Sequence, residues 1–241
     1  MRSILNRIAC RAAGALYARV SSRALPLAPE DLHTMKVSFS QFGEDLVVAE
    51  YLLGLRRAQK GIYVDAGCFN PYKFSNTRLL NLMGWRGINI DASAKSIEAF
   101  AQARPKDHNV CAALDEAEGP NEFVHTAYGA SSRLARGADP LPPSLPISAR
   151  VPVQTRTLAS VIAASPMAAE TVDFLDIDCE GSDLAVLRGY PLGEKRPVVV
   201  CIESHSSGES CEAGEYLAEH DYSEICRRGP SLIFHDRRVK R

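Results

Sequence analysis

The sequence predicts an α/β fold: a mostly parallel seven-stranded sheet with helices on both faces, finished by a C-terminal antiparallel hairpin. Three observations lead there. Short β-rich runs alternate with helical stretches from Ser38 onward, the pattern of parallel strands joined by helical crossovers. The last two runs, 222–227 and 231–234, are separated only by Arg228-Gly229-Pro230, as a hairpin requires. The 241 residues are 46% hydrophobic and 24% charged, enough apolar material for a sizeable core.

Taken in order, residues 1–34 read as a basic leader and 35–241 as the folded domain. Within the leader, Ile4, Leu5, Ile8, Ala12, Ala15 and Leu16 fall near helical spacing with arginines between them. Arg11 and Arg19 interrupt the apolar core that a secretory signal needs, and Pro26 and Pro29 end any helix. Three readings stay open for this stretch: a plain leader, an organelle transit peptide, or a helix lying on an anionic membrane. Ser38 or Ser40 is placed to cap a helix carrying Glu44 and Asp45 in its first turn and running to Gly54. A strand at 62–64 leads to the turn 65–71 and a helix over 75–83. Strand 87–91, helix 95–103 and strand 109–114 follow. Residues 119–150 shift to Gly, Pro, Ser and Ala and read as a variable excursion, which in a compact domain serves a site or stays irregular. Helix 157–164, strand 172–178, a helix opening at 182, strand 197–203 and helix 213–219 complete the order before the hairpin.

Charge and cysteine usage narrow the function classes. Residues 1–27 carry five arginines and no acid, and the tail from 227 carries six basic residues against Asp236 alone. That leaves 17 basic and 28 acidic groups in 28–226, a net of about −11. A body that negative repels a polyphosphate, so a nucleic-acid partner is not expected. No run of about 18 apolar residues occurs, which excludes a membrane-spanning helix. Seven cysteines, an odd number with no CxxC pair, suggest neither a disulfide frame nor a zinc site and fit the reducing cytoplasm. Cys68, Cys111, Cys179 and Cys201 lie in or beside apolar runs, where a thiol acts as a small hydrophobe.

Ligands of such sheets bind at the carboxyl ends of the strands. There the sequence places Asp65-Ala66-Gly67, Asp91, Asp178-Cys179-Glu180-Gly181 and Glu203-Ser204-His205. Carboxylates buried without partners are costly, so hydroxyls, amines or positive charge should meet them. Asp91 follows Asp65 by one strand-helix-strand step, where a carboxylate can accept both hydrogen bonds of a ribose diol. The first turn lacks the GxGxxG set that brings backbone against a pyrophosphate, which disfavours NAD. S-adenosylmethionine (SAM) has a ribose and no phosphate, and its amino and sulfonium groups are cationic, so an acidic rim suits it. A nucleophile-elbow hydrolase is excluded, since Gly208-Glu209-Ser210-Cys211-Glu212 lacks the closing glycine.

Six motifs in order carry a resemblance. Ser40-Gln41-Phe42-Gly43-Glu44-Asp45, Val64-Asp65-Ala66-Gly67-Cys68-Phe69-Asn70-Pro71, Ser75-Asn76-Thr77, Gly84-Trp85-Arg86-Gly87-Ile88-Asn89-Ile90-Asp91, Asp176-Ile177-Asp178-Cys179-Glu180-Gly181 and Arg228-Gly229-Pro230-Ser231-Leu232-Ile233-Phe234 resemble FkbM-type SAM-dependent methyltransferases over about residues 38–235. Cys68-Phe69 departs from the family's usual Ala followed by a polar or aromatic residue. The resemblance implies a Rossmann-like class I methyltransferase fold, SAM as cofactor, and methylation, usually at oxygen, of a sugar, glycan or small metabolite. It further implies that Asp65, Gly67 and Asn70 shape the cofactor turn, Ser75 and Asn76 approach the methionine end, and Asp91 takes the ribose. Gln41 and Glu44 would close the pocket, and Asp178 would lie near the transferred methyl.

Methyl transfer to a hydroxyl needs an aligned nucleophile and a group to take its proton. Asp178, Glu180, Glu203 and His205 are the rim candidates for that base; His205 has the suitable ordinary pKa. Asp178, Glu203 and His205 form an oxygen and imidazole set for a divalent cation, but strand-end positions fix no coordination geometry and no metal is assigned. Two other readings remain: a membrane-associated protein or lipid methyltransferase, peripheral at the inner membrane surface through residues 1–25, and a non-catalytic SAM-binding module. Neither the acceptor nor the oligomeric state is written in the sequence.

Overall fold

The computed structural model describes residues 30–55, 60–135, 146–204 and 211–239. The chain divides into two units, 1–37 and 38–241. In the first, the described residues carry one short helix, α1 (Asp31–Thr34). The expected leader helix over 3–20 lies outside the described residues.

The second unit runs α2 (Glu44–Gly54), β1 (Ile62–Ala66), α3 (Arg78–Leu82), β2 (Arg86–Asp91), α4 (Ala94–Ala103), β3 (His108–Cys111), β4 (Ala113–Leu114), β5 (Gly119–Thr126), β6 (Arg133–Leu134) and β7 (Ile147–Arg156). It continues with α5 (Leu158–Ala163), β8 (Phe174–Ile177), α6 (Asp183–Arg188), β9 (Val199–Glu203), α7 (Glu212–Glu219), β10 (Tyr222–Arg228) and β11 (Ser231–Asp236).

Seven strands form one sheet in the order β10-β11-β9-β8-β1-β2-β3. The five from β9 to β3 are parallel, and β11 and β10 add antiparallel, as the alternation and the closing hairpin predict. Both faces are covered. Val64, Ile88, Leu175 and Val200 pack with Leu158, Val186 and Leu217 of α5, α6 and α7. Tyr63, Phe174, Val199 and Ile233 pack with Val48 and Leu52 of α2, Leu80 of α3 and Trp85. Burial on both sides is why β9 reads as a near-continuous apolar run instead of an alternating one.

The structure corrects several sequence expectations. The α2 N-cap is Gly43, and the Ser38 and Ser40 hydroxyls donate instead to the fully buried Asp45 carboxylate, at 2.6 and 2.9 Å. Ser40 Oγ still accepts the Asp45 N–H at 3.3 Å, so it satisfies a helix-end donor from outside the cap position. The third helix is shorter than expected because residues 75–77 are committed to buried polar contacts. The strand expected over 109–114 breaks in two: β3 stays in the large sheet, while β4 joins a second sheet of order β4-β7-β5-β6. Most of the excursion's described residues are therefore β-structure, with residues 136–145 outside the described set. The six described cysteines are free; Cys111 is exposed and not apolar-packed. Among the described residues no helix is long and apolar enough to cross a membrane.

Candidate functional site

The chain runs outward from β1 through β2 to β3, then returns to place β8 on the other side of β1, so the order reverses between β1 and β8. Crevices open at such reversals. Here a hollow of about 560 Å³, its open mouth included, crosses the carboxyl ends of β8, β1, β2 and β3. Three strand spacings, about 14 Å, separate β8 from β3. Gly67 and Phe69 follow β1, Asp91 and Ser93 come from the end of β2, Ala112 follows β3, Ala113 and Leu114 form β4, and Asp178, Glu180 and Ser182 follow β8. The second sheet supplies the facing wall with Phe123, Gly129, Ser132 and Leu134.

Gly67 fixes the floor. Its φ is +85°, and a Cβ there would lie 1.7 Å from the Asp178 carbonyl oxygen, so only glycine lets the β1 turn meet the end of β8. Its N–H and that of Cys68 donate to the Ile90 carbonyl at 2.8 and 3.1 Å, drawing the turn onto β2. Phe69 (φ 47°) and Glu180 (φ 50°) also hold left-handed backbone and line the hollow. Such positions in non-glycine residues cost about 1–3 kcal/mol each and cluster where function fixes the backbone.

Asp91 presents a carboxylate held by two backbone donors, the Phe69 N–H at 2.9 Å and the Ser93 N–H at 2.7 Å, one to each oxygen. Each oxygen retains a lone pair for a further donor. Burial raises its pKa, and those donors together with the nearby His125 pull it back. His125 stacks edge-on against Phe123, ring centres 5.0 Å apart.

Asp178 has the opposite company. It opens into the hollow, yet desolvation by its surroundings and the charges of Glu203 and Asp183 push its carboxyl well above the ordinary range. Glu203 hydrogen-bonds to it and is pushed up to about 7, chiefly by burial. One oxygen from each of Asp178, Asp183 and Glu203 lies within 4.8 Å of the others. Asp183 is already tied down, accepting the Cys179 N–H at 2.7 Å and the Gly181 N–H at 2.9 Å, which pins the turn after β8. The acid set at this end is thus Asp178, Glu203 and Asp183. His205 lies outside the described residues.

The remaining expected residues sit elsewhere. Asp65 is 4% exposed and does not line the hollow; its carboxylate accepts the Thr77 hydroxyl at 2.5 Å. Asn76 donates to Asp176 at 3.1 Å, and Ser75 shares a hydrogen bond with Thr77 at 3.2 Å, both within this buried layer. Asn70 builds a local turn, its side-chain oxygen accepting the Tyr72 and Lys73 N–H groups at 2.9 and 3.0 Å. Glu44 does not close the pocket. It is 2% exposed and joins the Phe42 N–H (2.7 Å) to the Ser231 hydroxyl (3.2 Å), fastening the start of α2 to β11. Gln41 is exposed and lines no part of the hollow.

The family model described as the methyltransferase FkbM domain matches residues 60–225. The chain belongs to the FkbM methyltransferase family. No curated protein and no solved structure matches it. The FkbM match spans every wall of the hollow and stops short of Gln41, Glu44 and the 228–234 motif.

Within this FkbM domain, the sequence did not reveal Asp176, Asp183, Arg104 or the Phe123 and Leu134 wall as site residues. A signal existed for the first. Asp65 pairs in register with Asn89 on one side and Asp176 on the other, three polar groups on one buried sheet face. Buried groups of this kind require donors and a balancing charge. Burial and the neighbouring Asp65 charge raise the Asp176 carboxyl well above its usual range.

Proposed function

We propose that the protein is a SAM-dependent O-methyltransferase with a Rossmann-like class I fold, acting on a hydroxyl of a sugar, glycan or small metabolite. The observation that carries this reading is the graded lining of one hollow: apolar residues after β3 and from the second sheet, a doubly held carboxylate at the end of β2, and Asp178 after β8, hydrogen-bonded to Glu203 at the end of β9. Those residues fit SAM. Ala112, Ala113, Leu114, Phe123 and Leu134 suit a flat apolar base, Asp91 a ribose diol, and the acid-rich β8 end a cationic arm. Bound there, SAM supplies an electrophilic methyl group.

The chain's own groups do the rest. Asp178 and Glu203 hold one proton between them when the partner carboxyl is ionised, and the ionised member takes the proton of an acceptor hydroxyl. A base titrating near 7 is matched to neutral working pH. The left-handed backbone at Phe69 and Glu180 fixes the two sides of the hollow before any ligand enters. No lysine or arginine among the described residues lines it, which favours an uncharged or cationic acceptor over an anionic one.

The decisive experiment is incubation with methyl-labelled SAM and pooled glycans or cell extract, followed by mass spectrometry of the labelled product. Label on oxygen of a neutral sugar or metabolite is the expected result. Label confined to protein or lipid overturns the acceptor class, and absence of any labelled product from a SAM-binding protein turns the reading into a binding module.

A further inference from the structure

Arg104 follows α4 on the chain, where it forms the helix C-cap, and is only 2% exposed. A guanidinium that deep is costly unless acceptors meet it. Its two outer nitrogens donate to the Thr77 hydroxyl (2.8 Å), the Ser75 hydroxyl (2.9 Å), the Pro71 carbonyl (3.0 Å), the Tyr63 hydroxyl (3.2 Å) and the Asn89 side-chain oxygen (3.4 Å). Nε finds no partner among the described residues, so the outer fork alone holds the group. The Phe100 ring lies under it, with the guanidinium carbon 4.8 Å from the ring centre.

Three of those five acceptors belong to one segment, 71–77, which continues the turn that Gly67 and Phe69 contribute to the hollow. The other two belong to β1 and β2. Thr77 passes the link on, donating to Asp65 at 2.5 Å at the end of β1. Behind, Tyr63 donates to Asp107 at 2.5 Å, and Asp107 accepts from Arg86, Gly87 and Asn89, each at 3.3 Å. The layer therefore has a continuous path, from Asp107 through Tyr63, and in parallel through Asn89, to Arg104 and on through Thr77 to Asp65, and none of these residues lines the hollow.

We infer that Arg104 is a positioning residue for the methyl donor: it locks segment 71–77 onto β1 and β2 and so sets the turn at Gly67 and Phe69 that the donor meets. The inference rests on the SAM reading given above. Arginine suits the task because a planar fork can bind the separate segments at fixed angles. A lysine supplies three N–H donors from one nitrogen, against the four that the outer fork spreads over two. Once the turn relaxes, the Phe69 N–H no longer stays on Asp91, so donor affinity falls while the acid pair at β8 keeps its place. The effect lands on the KM for SAM, with kcat and the acceptor KM near their original values.

The test is titration calorimetry of the full chain with SAM, paired with steady-state kinetics and thermal unfolding, on Arg104→Lys, Arg104→Met and Thr77→Val. Arg104→Met is expected to raise the Kd for SAM at least 30-fold, Arg104→Lys to restore part of that loss, and Thr77→Val to raise it about fivefold. Folded variants that bind SAM as the native protein does overturn the inference, and so does a loss of kcat equal to the loss of kcat/KM. Should Arg104→Met fail to fold, Thr77→Val decides, since it keeps the shape of the side chain and removes both links. An unchanged KM for SAM in that variant overturns the inference, and a raised one at a native-like melting temperature supports it. A native protein that binds no SAM overturns the donor reading itself, an outcome visible before any variant is made.

Discussion

Asp91 and Asp178 stand at equivalent places, each at or just past the end of a parallel strand, and both line the same hollow. Their neighbours set them apart. Asp91 receives a backbone N–H on each oxygen, whereas Asp178 faces a second carboxyl and a third close by. Burial raises both, but donors restrain the first while like charges drive the second well above the carboxylate range. One position in a fold thus yields a fixed acceptor for hydroxyl donors at one end and a proton-holding pair at the other. What separates them is the ring of atoms within a few ångströms, not the strand that delivers them.

The most severe way to break this contrast removes the floor that joins the two ends. Gly67→Ala sets a Cβ on the Asp178 carbonyl and asks alanine to hold a φ of +85°. The backbone strain alone is about 1–3 kcal/mol. We expect a melting temperature lower by several degrees and SAM binding below detection by calorimetry; binding within threefold of native would show that the β1 turn does not form the cofactor floor. Asp178→Asn comes next. It keeps the shape and removes the carboxyl that shares a proton with Glu203, so labelled product should fall by about 10²–10⁴-fold while SAM affinity shifts only a few-fold. Transfer persisting at near-native rate would reassign the proton acceptor to another group. Asp91→Ala attacks the other end and should weaken SAM binding about 10- to 100-fold, the weight of hydrogen bonds to a charged acceptor. Equal calorimetric titrations for the two proteins would remove the ribose assignment.

The same contrast explains what the sequence made legible. Strand and helix order, the parallel sheet and the closing hairpin follow from period and punctuation, which are local properties. The position of Asp91, Gly67 and Asp178 on one rim follows from topology, since each ends its strand. The company each carboxylate keeps does not, because it is assembled across the chain. Asp65 looks like Asp91 in sequence, yet Thr77 covers it from below. Glu44 looks poised to reach a pocket, yet Ser231, 187 residues away, claims it. Arg104 carries no motif at all; only the polar residues at buried strand positions, Asp65, Asn89 and Asp176, announce that a buried cation is due. The Gly- and Pro-rich excursion hid its strands because β5 and β7 are half exposed and pair mainly with each other.

The gentlest probe leaves every atom in place and changes only the pH. Glu203 has an ordinary value of 4.5 and sits at about 7 in the folded protein, so between those values the native state binds more protons than the unfolded chain. Stability must then fall as pH rises from about 4.5 to 7, because deprotonation is easier once the chain unfolds, and level off above. Asp178, raised by the same neighbours, acts with the same sign. Turnover runs the other way: it should climb about tenfold per pH unit below 7 as the base ionises, and flatten beyond. Melting temperatures at pH 5 and pH 8 should therefore differ by a few degrees in the direction opposite to activity. Glu203→Gln should shrink the stability difference and shift the activity profile. A profile in which both properties rise together through neutrality would mean that the carboxyl pair at β8 ionises freely, and that the two ends of the hollow are electrostatically alike.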